Sequence, residues 1–311
     1  MNRILTALLC FGIGLNIASA KRIADTNSDV LHVGSFNVWG DKQRNNVIKK
    51  GNAPQLRSWA NGRDAVAQMI VDANWDIFGV QEACPTVRKE LPQLVKRNGG
   101  RYKWWFALPG EYDPAKPSKH LANGIVYRKS RFKMLDTDIS WISDTPTRSS
   151  YNKGDKIHKR VIGSALMRDK RTGKLFVFTA THGPLRCADS AENAQIIIDR
   201  IRLFNKDQLP TILVGDMNAQ PHSAFSARLR TAFDDTQDIA TRKSEVRGTV
   251  NGSRPLEGVP GPRCIDYIYV GSADGSHSVS EHNVFINRYE IGGKMFYPSD
   301  HCPIGAHITF K

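Results

Sequence analysis

Apolar residues recur at two periods along this chain, and the switches between them predict its elements. Residues 30–39 form a β-rich run that ends near Asn37. Residues 59–73 place Val66, Met69, Ile70 and Ala73 at helical spacing. Residues 76–82 are apolar on both faces, as a buried strand is, and another strand is predicted at 124–128. Residues 161–168 and 175–182 flank Lys170-Arg171-Thr172-Gly173 and read as a β-hairpin. A helix is predicted over 189–204, with Asp189 and Glu192 at its start and Ala194, Ile197, Ile198, Ile201 and Phe204 on one face. Strands follow at 211–215, 264–270 and 303–310.

Strands and helices are interleaved, but the hairpin excludes a purely parallel doubly wound sheet. The pattern predicts an α/β fold of two packed mixed β-sheets flanked by helices. Residues 21–311 contain no linker, repeat or low-complexity tract and read as one domain. Residues 1–20 stand apart. Arg3 precedes an apolar stretch over 4–15, and Ala18-Ser19-Ala20 is a cleavage signal, so a secretory signal peptide ending at Ala20 is expected. Cys10 sits too early in that stretch for lipid attachment. No other stretch is long enough to span a bilayer. A secreted or periplasmic monomer without a transmembrane segment is expected.

The chain carries 44 Lys and Arg against 30 Asp and Glu, a formal net charge of +14. That balance suits a polyanionic partner, nucleic acid foremost. Arg128-Lys129, Arg131, Lys133, Lys153, Lys156, His158-Lys159-Arg160 and the segment 168–174 are rich in cations, although scattered Lys and Arg also serve as a plain solvated face. Trp104-Trp105-Phe106 reads first as core packing on both faces of a strand, and second as a stacking platform for bases. After cleavage Cys84, Cys187, Cys264 and Cys302 remain, enough for two disulfides, with Cys264–Cys302 the favoured pair and four buried thiols the alternative. Asn251-Gly252-Ser253 is a glycosylation sequon.

The chemistry lies at the ends of the predicted strands. Ser35-Phe36-Asn37, Val80-Gln81-Glu82, Gly215-Asp216-Met217-Asn218, Ile265-Asp266-Tyr267 and Ser299-Asp300-His301 end or begin in acid, amide or imidazole groups, and most of them sit at the end of an apolar run. A buried strand does not end in a carboxylate without a partner for the charge, and a shared divalent cation would be that partner. Taken singly, each is as readily a turn former or a structural Asp–His pair. Alternation places Asp216 and Asn218 on one strand face and Met217 on the other. The chain has no G-x-S-x-G elbow, P-loop or H-E-x-x-H helix, which argues against a serine hydrolase, a P-loop nucleotidase and a zincin.

In order along the chain, Ser-Phe-Asn-Val, Val-Gln-Glu, Thr-His, Gly-Asp-Met-Asn-Ala, Ile-Asp-Tyr-Ile and Ser-Asp-His-Cys-Pro-Ile resemble the endonuclease/exonuclease/phosphatase superfamily. The resemblance covers 31–308, and Asn123 in Ala-Asn-Gly-Ile-Val-Tyr-Arg matches its mid-chain strand less distinctively. It implies a deoxyribonuclease I-like sandwich that hydrolyses phosphoesters with Mg²⁺ or Mn²⁺. By the same resemblance, Glu82 is the principal metal ligand, helped by Asn37 and Asp300. Asp216 orients or deprotonates the attacking water, and Asn218 holds a phosphate oxygen. His301 pairs with Asp266, and His182 binds or protonates the phosphate from the other side. Carboxylate and amide oxygens suit Mg²⁺ or Mn²⁺ better than zinc.

The first expectation is a nuclease or phosphodiesterase. The alternative is a phosphatase or a sphingomyelinase-type hydrolase of a phospholipid or sugar phosphate. A catalytically dead binding module is disfavoured, because every matched position is intact. The segment Gly183-Pro184-Leu185-Arg186-Cys187 departs from the family pattern, so substrate specificity does not carry over. Met217 replaces a common Phe, which should affect packing only.

Overall fold

A computed structural model describes residues 29–110, 121–152, 154–155, 157–185, 190–252 and 260–311, without the side chains of 41–43. The expectations placed on residues 1–20, Lys153, Lys156, Cys187, Asp189 and Ser253 lie outside these residues. Chain order begins β1 (Leu31–Asn37), α1 (Asp41–Lys49), α2 (Trp59–Ala73), β2 (Ile77–Ala83), α3 (Pro85–Arg97), β3 (Tyr102–Ala107) and β4 (Ala122–Arg128). Next come β5 (Phe132–Trp141), β6 (Val161–Asp169), β7 (Leu175–His182), α4 (Ala191–Phe204), β8 (Thr211–Asp216) and α5 (Ala224–Leu229). The rest is β9 (Asp234–Asp235), α6 (Thr236–Ile239), β10 (Arg242–Lys243), β11 (Asp266–Gly271), β12 (His277–Val284), β13 (Tyr289–Ile291), β14 (Lys294–Phe296) and β15 (Ile304–Phe310).

Two mixed sheets carry the fold. One has the order β10-β12-β15-β1-β2-β4-β3 and the other β5-β6-β7-β8-β11-β9. Side-chain alternation then builds four layers. Val33, Ile77, Ile125 and Ile304 of the first sheet meet Phe178, Ile212, Val214 and Ile268 of the second in the inter-sheet core. The opposite face of the first sheet, with Phe36, Phe78 and Val80, packs on Val66, Met69 and Ile70 of α2 and on Val87 and Leu91 of α3. The outer face of the second sheet, with Leu213, Tyr267 and Tyr269, packs on Ala194, Ile197, Ile198 and Ile201 of α4. Helix, sheet, sheet, helix is the layering predicted from sequence.

The predicted hairpin is present: β6 and β7 pair antiparallel and the turn closes through Gly173 at φ +76°. Two local expectations change. Helix α4 starts at Ala191 and is capped by Ser190, whose Oγ accepts from the Asn193 amide. Cys264 and Cys302 are buried free thiols, so the favoured Cys264–Cys302 disulfide is absent. The Cys264 thiol instead lies 3.8 Å from Gln237 Oε1, and Asn251 Nδ2 donates to Cys302 Sγ at 3.6 Å.

Candidate active site

The site forms where the inter-sheet core runs out. Leu31, Val33, Ser35 and Asn37 share one face of β1, and Phe176, Phe178, Ala180 and His182 share one face of β7. Ile212, Val214 and Asp216 do so on β8, and Val270, Ile268 and Asp266 on β11. Period 2 alone therefore carries Asn37, His182, Asp216 and Asp266 from the apolar interior to one end of the sandwich. Register fixes them against each other: His182 pairs with Asp216 across the parallel β7–β8 ladder, and Asp266 pairs with Asp216 across antiparallel β8–β11. Gly215 lets these strands close, since a Cβ there would lie 2.1 Å from the Thr181 carbonyl oxygen.

Glu82 obeys a different rule. Gln81 continues the inward face of β2, and its Oε1 accepts from Ser35 Oγ at 3.4 Å. Alternation would send Glu82 to the helical side. A register shift between Val80 and Ala83 and a left-handed backbone at Glu82, φ +61°, bring its carboxylate back to the site. Trp39 and Asn218 are also left-handed, so three of the five non-glycine residues with positive φ among the described residues border the site. Such conformations cost free energy and persist where the surroundings over-determine them.

Asp216 is the hub. Its Oδ2 accepts from Asn37 Nδ2 at 3.0 Å, lies 3.2 Å from His182 Nε2 and stands 3.6 Å from His301 Nε2. Its Oδ1 accepts from the Asn218 backbone amide at 2.9 Å. Burial opposes charge on this carboxyl, but His182 and His301 hold it well below the usual carboxylate range. On the other side of His301, Nδ1 meets Asp266 Oδ2 at 2.8 Å. Burial opposes an imidazolium there, yet Asp266, Asp216 and Asp300 raise His301 well above its ordinary value. Burial beside Asp216 pushes the Asp266 carboxyl up to about 6. At neutral pH the pair is imidazolium and carboxylate. Burial and the nearby Arg160 push His182 down to about 4, so it is the neutral imidazole of the site. Its Nδ1 is buried without a hydrogen-bond partner among the described residues.

A second group of oxygens lies beside the hub. Glu82 Oε2 accepts from the Gly40 amide at 3.0 Å, and Asn37 Nδ2 reaches Glu82 Oε1 at 3.4 Å. Burial and the neighbouring Asp300 carboxylate push Glu82 up to about 7. Two carboxylates crowded in this way fit a hard divalent cation. Asn37 is tied into both groups by its side-chain amide. Its Oδ1 accepts from the Trp39 amide at 3.0 Å, and its Nδ2 faces both carboxylates and straps Glu82 to Asp216. Ligand atoms of Asp216, Asp266 and His301 also lie within 4.8 Å of one another. The His301–Asp266 hydrogen bond accounts for that closeness, and a mixed nitrogen and oxygen set suits zinc better than magnesium.

Asp300 and His301 are delivered by a loop bound to two buried arginines that left no sequence signal. Arg44 Nη2 donates to the Pro298 carbonyl at 2.6 Å, and Arg57 Nη2 to the Ser299 carbonyl at 2.8 Å. Both guanidinium groups lie over the Trp39 ring, at 4.9 and 4.8 Å. Burial lowers Arg44 to about 9 and Arg57 to about 10, and the negative charge of Asp300 supports both cations. Ser299 Oγ donates to the Asn37 carbonyl at 2.7 Å and stitches this loop to β1. Thr249 Oγ1 accepts from the Asp266 amide at 3.3 Å.

Two other expectations change, while Asn123 lies in the strand expected of it, β4. Strand β8 ends at Asp216, so a left-handed turn at φ +52°, not alternation, places Asn218. The Asn218 amide donates to the Gly183 carbonyl at 2.9 Å. Asn123 lies on the inter-sheet face and donates to the Val161 carbonyl at 2.8 Å. Several sequence-clustered cations are structural. Arg131 binds Asp76 at 2.6 Å and Asp169 at 3.0 Å, and Arg160 binds Asp155 at 3.1 Å. The 168–174 turn opens β7 at the end opposite His182, so those cations do not line the site.

Residues 34–301 match the family described as Endonuclease/Exonuclease/phosphatase family. No curated protein matches the chain. Among solved structures, a Bacteroides thetaiotaomicron protein of the endonuclease/exonuclease/phosphatase family aligns with TM-score 0.78 at 21% identity, covering 91% of this chain and 95% of its own. A mannosyl-6-phosphatase from the same organism aligns with TM-score 0.76 at 23% identity, over 90% and 100% of the two chains. TDP2 of D. rerio, complexed with single strand DNA product, aligns with TM-score 0.62 at 18% identity, over 90% and 99%. At these identities the structures establish the shared sandwich, and the match over most of the sequence establishes the family. The chain is a hydrolase of the endonuclease/exonuclease/phosphatase family.

Proposed function

We propose that the protein is an exported, divalent-metal-dependent phosphoester hydrolase working by direct attack of water. The observation that carries this reading is the convergence of His182, Asn37 and His301 on one ionised carboxylate, Asp216, beside the crowded pair Glu82 and Asp300. Glu82 and Asp300 would hold Mg²⁺ or Mn²⁺, which when bound supplies charge neutralisation at the phosphoryl oxygens. Asp216 orients the attacking water. A carboxyl held so low is a poor final proton acceptor, which assigns it to orientation and charge more than to storage of a proton. The His301 imidazolium, fixed by Asp266 at Nδ1, presents Nε2–H toward charge building on the phosphoryl group. Neutral His182 offers a second imidazole at the same Asp216 oxygen, and Asn218 fixes the turn after β8 through the Gly183 carbonyl.

The net charge of +14 supports a phosphodiester of nucleic acid as substrate. A second reading, a phosphomonoester on a sugar, draws support from the use of Arg131 and Arg160 in buried ion pairs and from the resemblance to a mannosyl-6-phosphatase. Incubating the purified protein with plasmid DNA, RNA, sphingomyelin, mannose 6-phosphate and bis(p-nitrophenyl) phosphate, with Mg²⁺ and with EDTA, separates them. Nucleic acid cleavage is expected to dominate. Faster release of phosphate from the sugar would select the second reading, and no Mg²⁺-dependent turnover of any substrate would overturn both.

A further inference from the structure

Among the described residues β3 is the edge strand of the seven-stranded sheet, and a cleft of about 490 Å³ runs beside it. The cleft is far from the site: Tyr102 pairs with Arg128 at one end of the β3–β4 ladder, and Ala107 pairs with Asn123 at the active-site end. Four cations line it: Lys96 from α3, Arg101 and Lys103 from β3 and its approach, and Lys129 from the turn after β4. All four are exposed, and none is paired with a carboxylate among the described residues. Among the described residues, no acidic side chain lines the cleft. Its wall includes Tyr102 and Trp104, both half-buried. Tyr102 is fixed by a hydrogen bond from its hydroxyl to the Trp75 carbonyl at 2.9 Å and by Arg128 over its ring at 4.9 Å. Trp104 is braced edge-on by Phe78 at 6.0 Å. Its neighbour Trp105 packs against the inter-sheet core. So the aromatic run serves both the core and an open surface.

We propose that this cleft docks single-stranded nucleic acid, with phosphates meeting Lys96, Arg101, Lys103 and Lys129 and a base stacking on Trp104. Unpaired cations and a rigid aromatic together suit a ligand that alternates phosphates with flat rings, whereas a sulfated polysaccharide would use the cations alone. Docking here is independent of what the active site hydrolyses, because it requires neither the metal nor Asp216.

The test is fluorescence anisotropy of a labelled oligothymidylate on the full-length protein in EDTA, where binding and cleavage are separated. Lys96→Ala/Arg101→Ala/Lys103→Ala/Lys129→Ala should weaken binding at least tenfold. It should also flatten the slope of log affinity against log salt by about 0.7 for each phosphate no longer neutralised. Trp104→Leu should weaken binding roughly 5- to 150-fold. Trp104→Phe keeps a ring, so it should retain more affinity if the leucine variant is poorly folded. All variants should hydrolyse bis(p-nitrophenyl) phosphate at the parent rate. Parent-like affinity in the quadruple variant would overturn the proposal. So would equal displacement by dextran sulfate at matched charge together with indifference to Trp104→Phe and Trp104→Leu.

Discussion

Asp216 and Asp266 are direct partners across the β8–β11 ladder, and both carboxylates face the same imidazole, that of His301. Two buried acids in this relation repel, and an imidazolium between them offsets that repulsion. The arrangement ties the charge state of His301 to the strand register of the second sheet. It also makes Asp266 a positioning group, since it fixes His301 Nδ1 and leaves Nε2 directed to the hub.

If Asp266 acts only through His301, the effects of removing each should not multiply. Asp266→Asn and His301→Ala should each lower kcat/KM by roughly 10²- to 10⁴-fold, the usual contribution of a positioned acid or base. The double variant should fall little below the worse single variant. Multiplied effects in steady-state kinetics would show separate roles.

Asn37 separates the Glu82 and Asp216 carboxylates by donating to both. In Asn37→Asp that donor becomes a third acid. The metal-free protein should be destabilised by about 1–3 kcal/mol, the cost of an unsatisfied buried polar group. Mg²⁺ should restore much of it, so the thermal shift on adding Mg²⁺ should exceed that of the parent. Equal shifts in the two proteins would contradict the strap.

Most of this arrangement was legible because it follows from period-2 patterning. Asn37, Asp216 and Asp266 stand at the ends of apolar runs that a one-dimensional reading finds, and His182 was marked by the family resemblance. Glu82 reached the site against that pattern, through a bulge that no residue between Val80 and Ala83 announces. Asn218 was assigned by alternation past the point where the strand stops. Strands β5 and β12 were not anticipated. Their sequences, FKMLDTDISW and HSVSEHNV, are polar because β5 is a sheet edge and β12 lies next to the two-residue edge strand β10. Helix α3 was hidden by Pro92 in its interior, although Val87, Leu91, Leu94 and Val95 hold its buried face. The structural role of Arg131 was invisible because its partners Asp76 and Asp169 are 55 and 38 residues away.

A histidine remote from the site provides an acid-stability test. His282 Nδ1 lies 2.8 Å from Thr236 Oγ1, which donates its own proton to the Ile268 carbonyl at 2.9 Å. His282 must therefore be the donor, through Nδ1–H. Burial, then Lys243, push it from 6.5 down to about 4. The unfolded chain takes up the proton below pH 6.5 and the folded chain does not, so this group favours unfolding progressively as pH falls from about 6.5 to about 4. The destabilisation is on the order of 3 kcal/mol. In His282→Gln, urea midpoints should fall less steeply over that window than in the parent. Parallel acid limbs would contradict the buried neutral assignment.

The proposed reaction calls for a divalent cation, which Glu82 and Asp300 would hold beside Asp216. The most direct measurement is the hydrolysis rate of bis(p-nitrophenyl) phosphate as Mg²⁺ is titrated into EDTA-treated protein, for the parent and for Glu82→Gln. No turnover is expected without metal, and recovery in the parent should saturate. The half-saturating Mg²⁺ concentration should be at least tenfold higher in the variant. Full turnover in EDTA, or superimposable Mg²⁺ curves for the two proteins, would contradict a metal held by Glu82.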